Sequence, residues 1–190
     1  AAIGYSQESG IPFGHGLVKN AYVGRTFIQP SQTIRQRGIR LKLNPLREVI
    51  AGKRIIVIDD SIVRGNTQRA LVQMLREAGA AEIHVRISSP PITWPCFYGI
   101  DFATRAELIA TGLAVEDVRT SIGADSLGYL TKDGMIAATG QQERELCTAC
   151  FTGSYPIELP AADRLGKNLL ERDDVAACNP GPDSETDELV

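Results

Sequence analysis

Long apolar runs are missing from this 190-residue chain, so no stretch of it can cross a bilayer as a helix. The first ten residues, AAIGYSQESG, have neither the basic nor the apolar region of a secretion signal. A cytoplasmic protein is the expectation. Cysteine is scarce, with four in all, which excludes the disulfide framework of a small secreted domain. Histidine is scarcer: His15 and His84 are the only two, and no second CxxC accompanies Cys147-Thr-Ala-Cys150. That leaves the usual zinc-ligand patterns incomplete. There is no internal repeat, no Walker lysine in any glycine-rich loop, and no basic-aromatic interleaving of the kind that grips nucleic acid.

What is present is an ordinary globular composition, 43% hydrophobic and 23% charged. The net charge of -3 hides an asymmetry, because residues 171–190 hold seven acidic side chains and one basic, leaving 19 basic and 16 acidic elsewhere. From Lys19 to Arg69 eleven Lys or Arg face only Glu48, Asp59 and Asp60. Such a field suits a small polyanion.

The stretch RIIVIDDSIVRGNT, Arg54 to Thr67, organises the rest. Ile55, Ile56, Val57 and Ile58 read as a strand buried on both faces of a parallel sheet. Asp59, Asp60, Ser61, Arg64, Gly65, Asn66 and Thr67 follow, and a helical pattern begins near Gln68. Ligands of open α/β sheets collect beyond the carboxyl ends of the strands, and a helix N-terminus offers unpaired N–H groups to a phosphate. Gly65 allows close backbone approach, Ser61 and Thr67 can donate, and Asp59 and Asp60 can accept from sugar hydroxyls or hold hydrated Mg²⁺.

Around this unit the chain reads as follows. Ala1 to Ser6 resembles the end of a helix, Ile11 to Lys19 a glycine-rich turn into a short strand, and Asn20 to Gln32 a loop carrying Tyr22, Arg25 and Thr26. Ile39, Leu41 and Leu43 alternate as a strand does, and Pro45 breaks any helix. Ala70, Leu71, Met74, Leu75 and Ala78 share a helical face that Gly79 terminates. Ile83, Val85 and Ile87 alternate with polar neighbours as a strand with one polar face, His84 on it. Helices are predicted over Thr104–Thr111, Val115–Ile122 and Lys132–Thr139, and a short strand over Ser126–Leu130. No helix pattern follows the CxxC. Its options on the residues alone are zinc, a redox pair, an iron-sulfur cluster or two plain thiols.

The Asp-Asp-Ser, Val-Arg-Gly and Thr after a hydrophobic strand resemble the phosphoribosylpyrophosphate motif of type I phosphoribosyltransferases. With KNAYVGRTFIQP (Lys19 to Pro30), RLKLNPLR (Arg40 to Arg47), SSPPITWPCFYGID (Ser88 to Asp101), IGADSLGYL (Ile122 to Leu130) and CTACFTGSYP (Cys147 to Pro156), the chain is similar to the amidophosphoribosyltransferase family over roughly residues 1–160. The resemblance implies an α/β type I phosphoribosyltransferase fold, a parallel sheet with helices on both sides and a cysteine-bearing C-terminal segment. Residues 1–160 would form this domain, truncated on its N-terminal side, and 161–190 an acidic, mobile tail.

The implied activity is transfer of glutamine-derived ammonia to phosphoribosylpyrophosphate, giving phosphoribosylamine and pyrophosphate, the first step of purine synthesis. Asp59, Asp60, Ser61 and Arg64 to Thr67 would bind the substrate, with Mg²⁺ on Asp59 and Asp60. Lys19 and Arg25 would face the departing pyrophosphate on a closing loop that Tyr22 orders. Cys96, Cys147 and Cys150 map onto three ligands of a [4Fe-4S] cluster whose fourth lies outside this chain, as does the glutaminase domain. Cys178 matches no family position. Purine nucleotides as feedback inhibitors and a homo-oligomer complete the expected partners, without nucleic acid or membrane. Two alternatives are a salvage phosphoribosyltransferase, which has no use for the CTACFTG block, and a non-catalytic phosphoribosylpyrophosphate sensor, which has no leaving group for Lys19 and Arg25 to neutralise.

Overall fold

Three strands, β3 (Arg54–Asp59), β4 (Glu82–Ile87) and β5 (Ser126–Tyr129), lie parallel in the order β3-β4-β5. The computed structural model describes residues 1–22, 43–100 and 104–158. Ahead of this sheet come helix α1 (Ala2–Ser9), strands β1 (Leu17–Lys19) and β2 (Leu43–Pro45), paired antiparallel, and the single turn α2 (Arg47–Ile50). Helix α3 (Asn66–Glu77) links β3 to β4, and α4 (Val115–Ile122) leads into β5. After β5 come α5 (Lys132–Thr139) and the short α6 (Ala149–Thr152). The chain divides into two units, Ala1–Pro156 and Ile157–Val190, and the second lies outside the described residues after Glu158.

Register decides which side chains share a face. Asp59 pairs with Ile87 and Ile87 with Tyr129; Val57 pairs with Val85 and Val85 with Leu127. On that face Ile83 and Val85 are wholly buried, and Leu71, Val72, Met74 and Leu75 of α3 and Ile122 of α4 complete the core. Each such side chain contributes about 1.5–3 kcal/mol on burial. The opposite face is polar at β4 and β5: His84 reaches Ser126 Oγ (2.9 Å) and Glu82 Oε2 (3.0 Å), and Arg86 lies over Gly128, where a β-carbon would sit 3.1 Å from Arg86 Cδ. Ile55 to Ile58 are half-buried rather than buried on both faces: Ile56 and Ile58 share the polar face with His84 and Arg86, and β3 is the end strand among those described.

Most predicted elements form. Val115–Ile122 and Lys132–Thr139 are helices with those bounds, the latter capped by Thr131, whose Oγ1 accepts from the Gly134 N–H at 3.1 Å. Helix α3 begins two residues earlier than expected, directly after Gly65 in the left-handed region (φ 72°). Thr104–Thr111 is not a helix. Only Arg105–Glu107 makes a 3₁₀ turn, because the residues beyond it are drawn into tertiary contacts: Leu108 is buried, the Ile109 N–H donates to the Val63 carbonyl (2.9 Å), and Thr111 Oγ1 donates to the Thr93 carbonyl (3.1 Å). The CxxC is likewise followed by a turn of helix, α6, where none was expected. Ile39 and Leu41 of the predicted strand lie outside the described residues, and Leu43 opens β2.

Candidate active site

The carboxyl end of β3 delivers Asp59 and Asp60 into a loop that is anchored from below and behind. Ile62 is buried in the core beneath it. Behind it stands the segment 105–111: Glu107 pairs with Arg64 (Oε2 to Nη2, 2.6 Å), Ile109 bonds to Val63, and the Ile109 side chain occupies the place where residue 65 would carry a β-carbon, 2.6 Å from Cδ1. Only glycine satisfies both that contact and the positive φ. Gly65, the residue before α3, has no side chain to cap it, so among the described residues no side-chain cap meets the first-turn N–H groups.

The two aspartates differ. Asp59 Oδ1 accepts the Asp60 N–H at 3.0 Å, Oδ2 accepts from Gln68 Nε2, and the Asp59 carbonyl accepts both the N–H (3.0 Å) and the hydroxyl (2.9 Å) of Ser88. Burial pushes the Asp59 carboxyl above the ordinary aspartate range; the Asp60 N–H opposes this, the Asp60 charge adds to it, and Gln68 opposes it. Asp60 is exposed, and its Oδ1 accepts from Ser61 Oγ at 2.6 Å. Asn66 Oδ1 accepts from Arg69, whose other nitrogens hold the carbonyl and hydroxyl of Ser121 at 2.9 and 2.8 Å. Thr67 is exposed at the helix start.

Lys19 ends β1, and Tyr22 is 99% exposed, its N–H donating to Asn20 Oδ1 (3.0 Å). Arg25 lies outside the described residues. Four residues with a part in the loop escaped the sequence reading: Ser88, Glu107, Ile109 and Gln68. Gln68 left a signal, since it continues the apolar stripe of Leu71, Val72 and Leu75 at helical spacing yet is polar.

The cysteines form a second locus. Cys96 and Cys150 pack on the buried pair Ile92 and Leu108, together with Val63 and Phe151. Burial pushes the Cys150 thiol up; a backbone hydrogen bond opposes this, and Cys96 and Cys147 add to it. Among the described residues, however, no group of three or more His, Cys, Asp or Glu side chains is set to hold a metal ion. The Cys150 carbonyl accepts from the Thr93 and Trp94 N–H groups (3.1 and 3.0 Å), Tyr155 Oη donates to the Pro95 carbonyl (2.7 Å), and Arg105 lies 4.0 Å over the Trp94 ring.

No protein-family model matches the chain. It is 70% identical over 176 residues to the amidophosphoribosyltransferase of Mycobacterium tuberculosis, a match covering 90% of this chain and 33% of that protein. The Bacillus subtilis amidophosphoribosyltransferase is 56% identical over 163 residues, covering 84% and 34%. Among solved structures, the glutamine phosphoribosylpyrophosphate amidotransferase of B. subtilis complexed with ADP and GMP superposes with a TM-score of 0.75 at 52% identity, over 89% of this chain and 38% of that one. The chain spans about a third of the length of the curated relatives it matches. The resemblance carried by the six sequence blocks holds, and the fold is the α/β phosphoribosyltransferase type.

Proposed function

We propose that this chain, similar over nine-tenths of its length to amidophosphoribosyltransferases, is the phosphoribosyltransferase part of an enzyme that moves glutamine-derived ammonia onto C1 of phosphoribosylpyrophosphate. The observation that carries the reading is the loop after β3. It combines an exposed carboxylate (Asp60), a hydroxyl (Ser61), a glycine in the left-handed region and an uncapped helix start, which together match a phosphorylated sugar. The 5-phosphate would meet the N–H groups of Asn66, Thr67 and Gln68 and the Thr67 hydroxyl, while Asp59 and Asp60 would hold the ribose hydroxyls. These hard oxygen donors suit Mg²⁺, which would add positive charge beside the pyrophosphate.

The reaction needs no side-chain nucleophile. Lys19 and Arg25 would neutralise the leaving pyrophosphate, and Tyr22 would order the loop that shuts out water. Ammonia would come from a glutaminase domain outside this chain. Purine nucleotides would act as feedback inhibitors, a reading that the complex of the similar B. subtilis protein with ADP and GMP supports. A homo-oligomer and a cytoplasmic location complete the reading; among the described residues no helix is long and apolar enough to cross a membrane. Residues 1–160 would be the catalytic unit and 161–190 an acidic appendage.

The thiols of Cys96, Cys147 and Cys150 are soft donors of the type that binds an iron-sulfur cluster, and two of them, Cys96 and Cys150, pack on the same buried pair of side chains. A [4Fe-4S] centre there would be structural, because no step of ammonia transfer to a ribosyl carbon moves an electron. Iron and sulfide analysis of the anaerobically purified full-length protein tests it: zinc alone, or no metal, removes the cluster. For the site itself, Asp60→Asn in the full-length protein should weaken phosphoribosylpyrophosphate binding by about 1.5–3 kcal/mol. Unchanged affinity overturns the assignment.

A further inference from the structure

We propose that Gln68 is a positioning residue for this reaction, fixing the Asp59 carboxylate and through it the turn that presents Asp60. The inference rests on the phosphoribosyl reading of the loop and deepens it. Gln68 stands in the first turn of α3, 2% exposed, on the face that packs into the core. Its Nε2 donates to Asp59 Oδ2, while Asp59 Oδ1 receives the Asp60 N–H at 3.0 Å. One carboxylate is thereby held at both ends, by the helix it precedes and by the peptide it precedes. The backbone beneath is fixed as well, since the Asp59 carbonyl accepts both donors of Ser88.

The glutamine side chain is costly where it stands. Its Oε1 is buried without a hydrogen-bond partner among the described residues, and leucine or methionine would fill a similar volume without that penalty. What glutamine adds is the amide N–H on Asp59. Each Asp59 oxygen keeps a lone pair for a ligand, so the clamp aims the carboxylate without consuming it. Asp60 then differs by position: its carboxylate is exposed and bonded only locally, to Ser61 Oγ. Without Gln68 the Asp59 side chain would regain its rotamers, the Asp60 N–H would lose a fixed acceptor, and the substrate would have to order the turn as it binds.

The test is steady-state kinetics and substrate binding with phosphoribosylpyrophosphate on the full-length protein, with a thermal melt of each variant. Gln68→Leu should raise KM for phosphoribosylpyrophosphate about tenfold, with the loss falling on KM rather than kcat. Gln68→Glu sets a second carboxylate against Asp59 and should do at least as much harm. Gln68→Met keeps a similar volume in the core without the amide and should raise KM as Gln68→Leu does. An unchanged KM in Gln68→Leu or in Gln68→Met overturns the proposal. If Gln68→Leu fails to fold, the comparison of Gln68→Met with the unaltered protein decides. Weakened binding in Asp60→Asn beside an unaffected Gln68→Leu refutes the role of Gln68 and leaves the site reading intact; unaffected binding in Asp60→Asn overturns both.

Discussion

The indole of Trp94 fills the space in which residue 153 would carry a β-carbon: built onto Gly153, that atom would lie 2.5 Å from Trp94 Cε2. Gly153 also ends α6 in the left-handed region, with φ at 78°. Gly153→Ala therefore meets both an unfavourable backbone and a rigid ring. The expected cost is about 2–4 kcal/mol, expressed as release of the segment 147–156 from the strip 92–98. Limited proteolysis checks it, with new cleavage expected within that segment. An intact segment and an unchanged melt would show that Trp94 simply moves aside.

Gly65→Ala should cost a similar amount for a related reason, φ 72° plus the 2.6 Å contact with Ile109 Cδ1. The two causes separate in a double-mutant cycle. Ile109→Ala relieves the clash and leaves the backbone strain, so the pair should couple favourably by about 1 kcal/mol in urea unfolding. Strict additivity would mean that the steric contact is not felt.

Asp125 joins three elements, its Oδ2 accepting the Ile83 N–H at 2.6 Å and an Arg76 N–H, from just before β5. The Ile83 N–H, then Arg76, hold its carboxyl below the usual aspartate range. Because the folded pKa is depressed, the stabilisation is complete above the unfolded value near pH 4 and fades as pH falls through the lower folded value. Asp125→Ala should cost about 1–2 kcal/mol at neutral pH, discounted for partial exposure, and progressively less as the pH is lowered below the unfolded value. A difference that stays constant across that range would separate the effect from the charge.

Cys147 is exposed, whereas burial raises the Cys150 thiol pKa and lowers its thiolate fraction. Iodoacetamide applied to the metal-free protein should label Cys147 before Cys150, read by peptide mass spectrometry. The reverse order would show that the segment opens readily.

The strand, loop and helix around Asp59 were legible because each rests on local signals: an apolar run, a glycine at the turn and a helical stripe. The blocks that resemble known amidotransferases tied the Asp59 loop and the cysteines to one family. What stood outside the sequence was whatever non-neighbours impose. Thr104–Thr111 carries helix-compatible residues, yet Leu108 and Ile109 serve the core and the loop instead. Arg64 reads in the sequence as a substrate-binding residue, and its pairing with Glu107, 43 residues on, is not visible there. The unequal surroundings of Asp59 and Asp60 depend on Gln68 and Ser88: Gln68 is marked by its polarity in an apolar stripe, whereas nothing in the sequence marks Ser88.

The strip running through Ile92 and Trp94 finds its cover late. Tyr155 bonds to Pro95 across 60 residues of sequence, and Thr93 bonds to Phe151 across 58. At ribosomal rates of about 5–20 residues per second, roughly 3–12 s separate the emergence of the strip from that of the residues that cover it. Residues 105–111 cover one side of the strip early, through Leu108 on Ile92 and Thr111 on Thr93, but the side that Phe151 and Tyr155 meet stays bare throughout that interval, beside a sheet that can already pair. Pro90, Pro91 and Pro95 bracket it and remove three backbone donors, so the segment is poorly equipped to add to a passing strand edge. The prolines that set its path in the finished molecule also protect the nascent one.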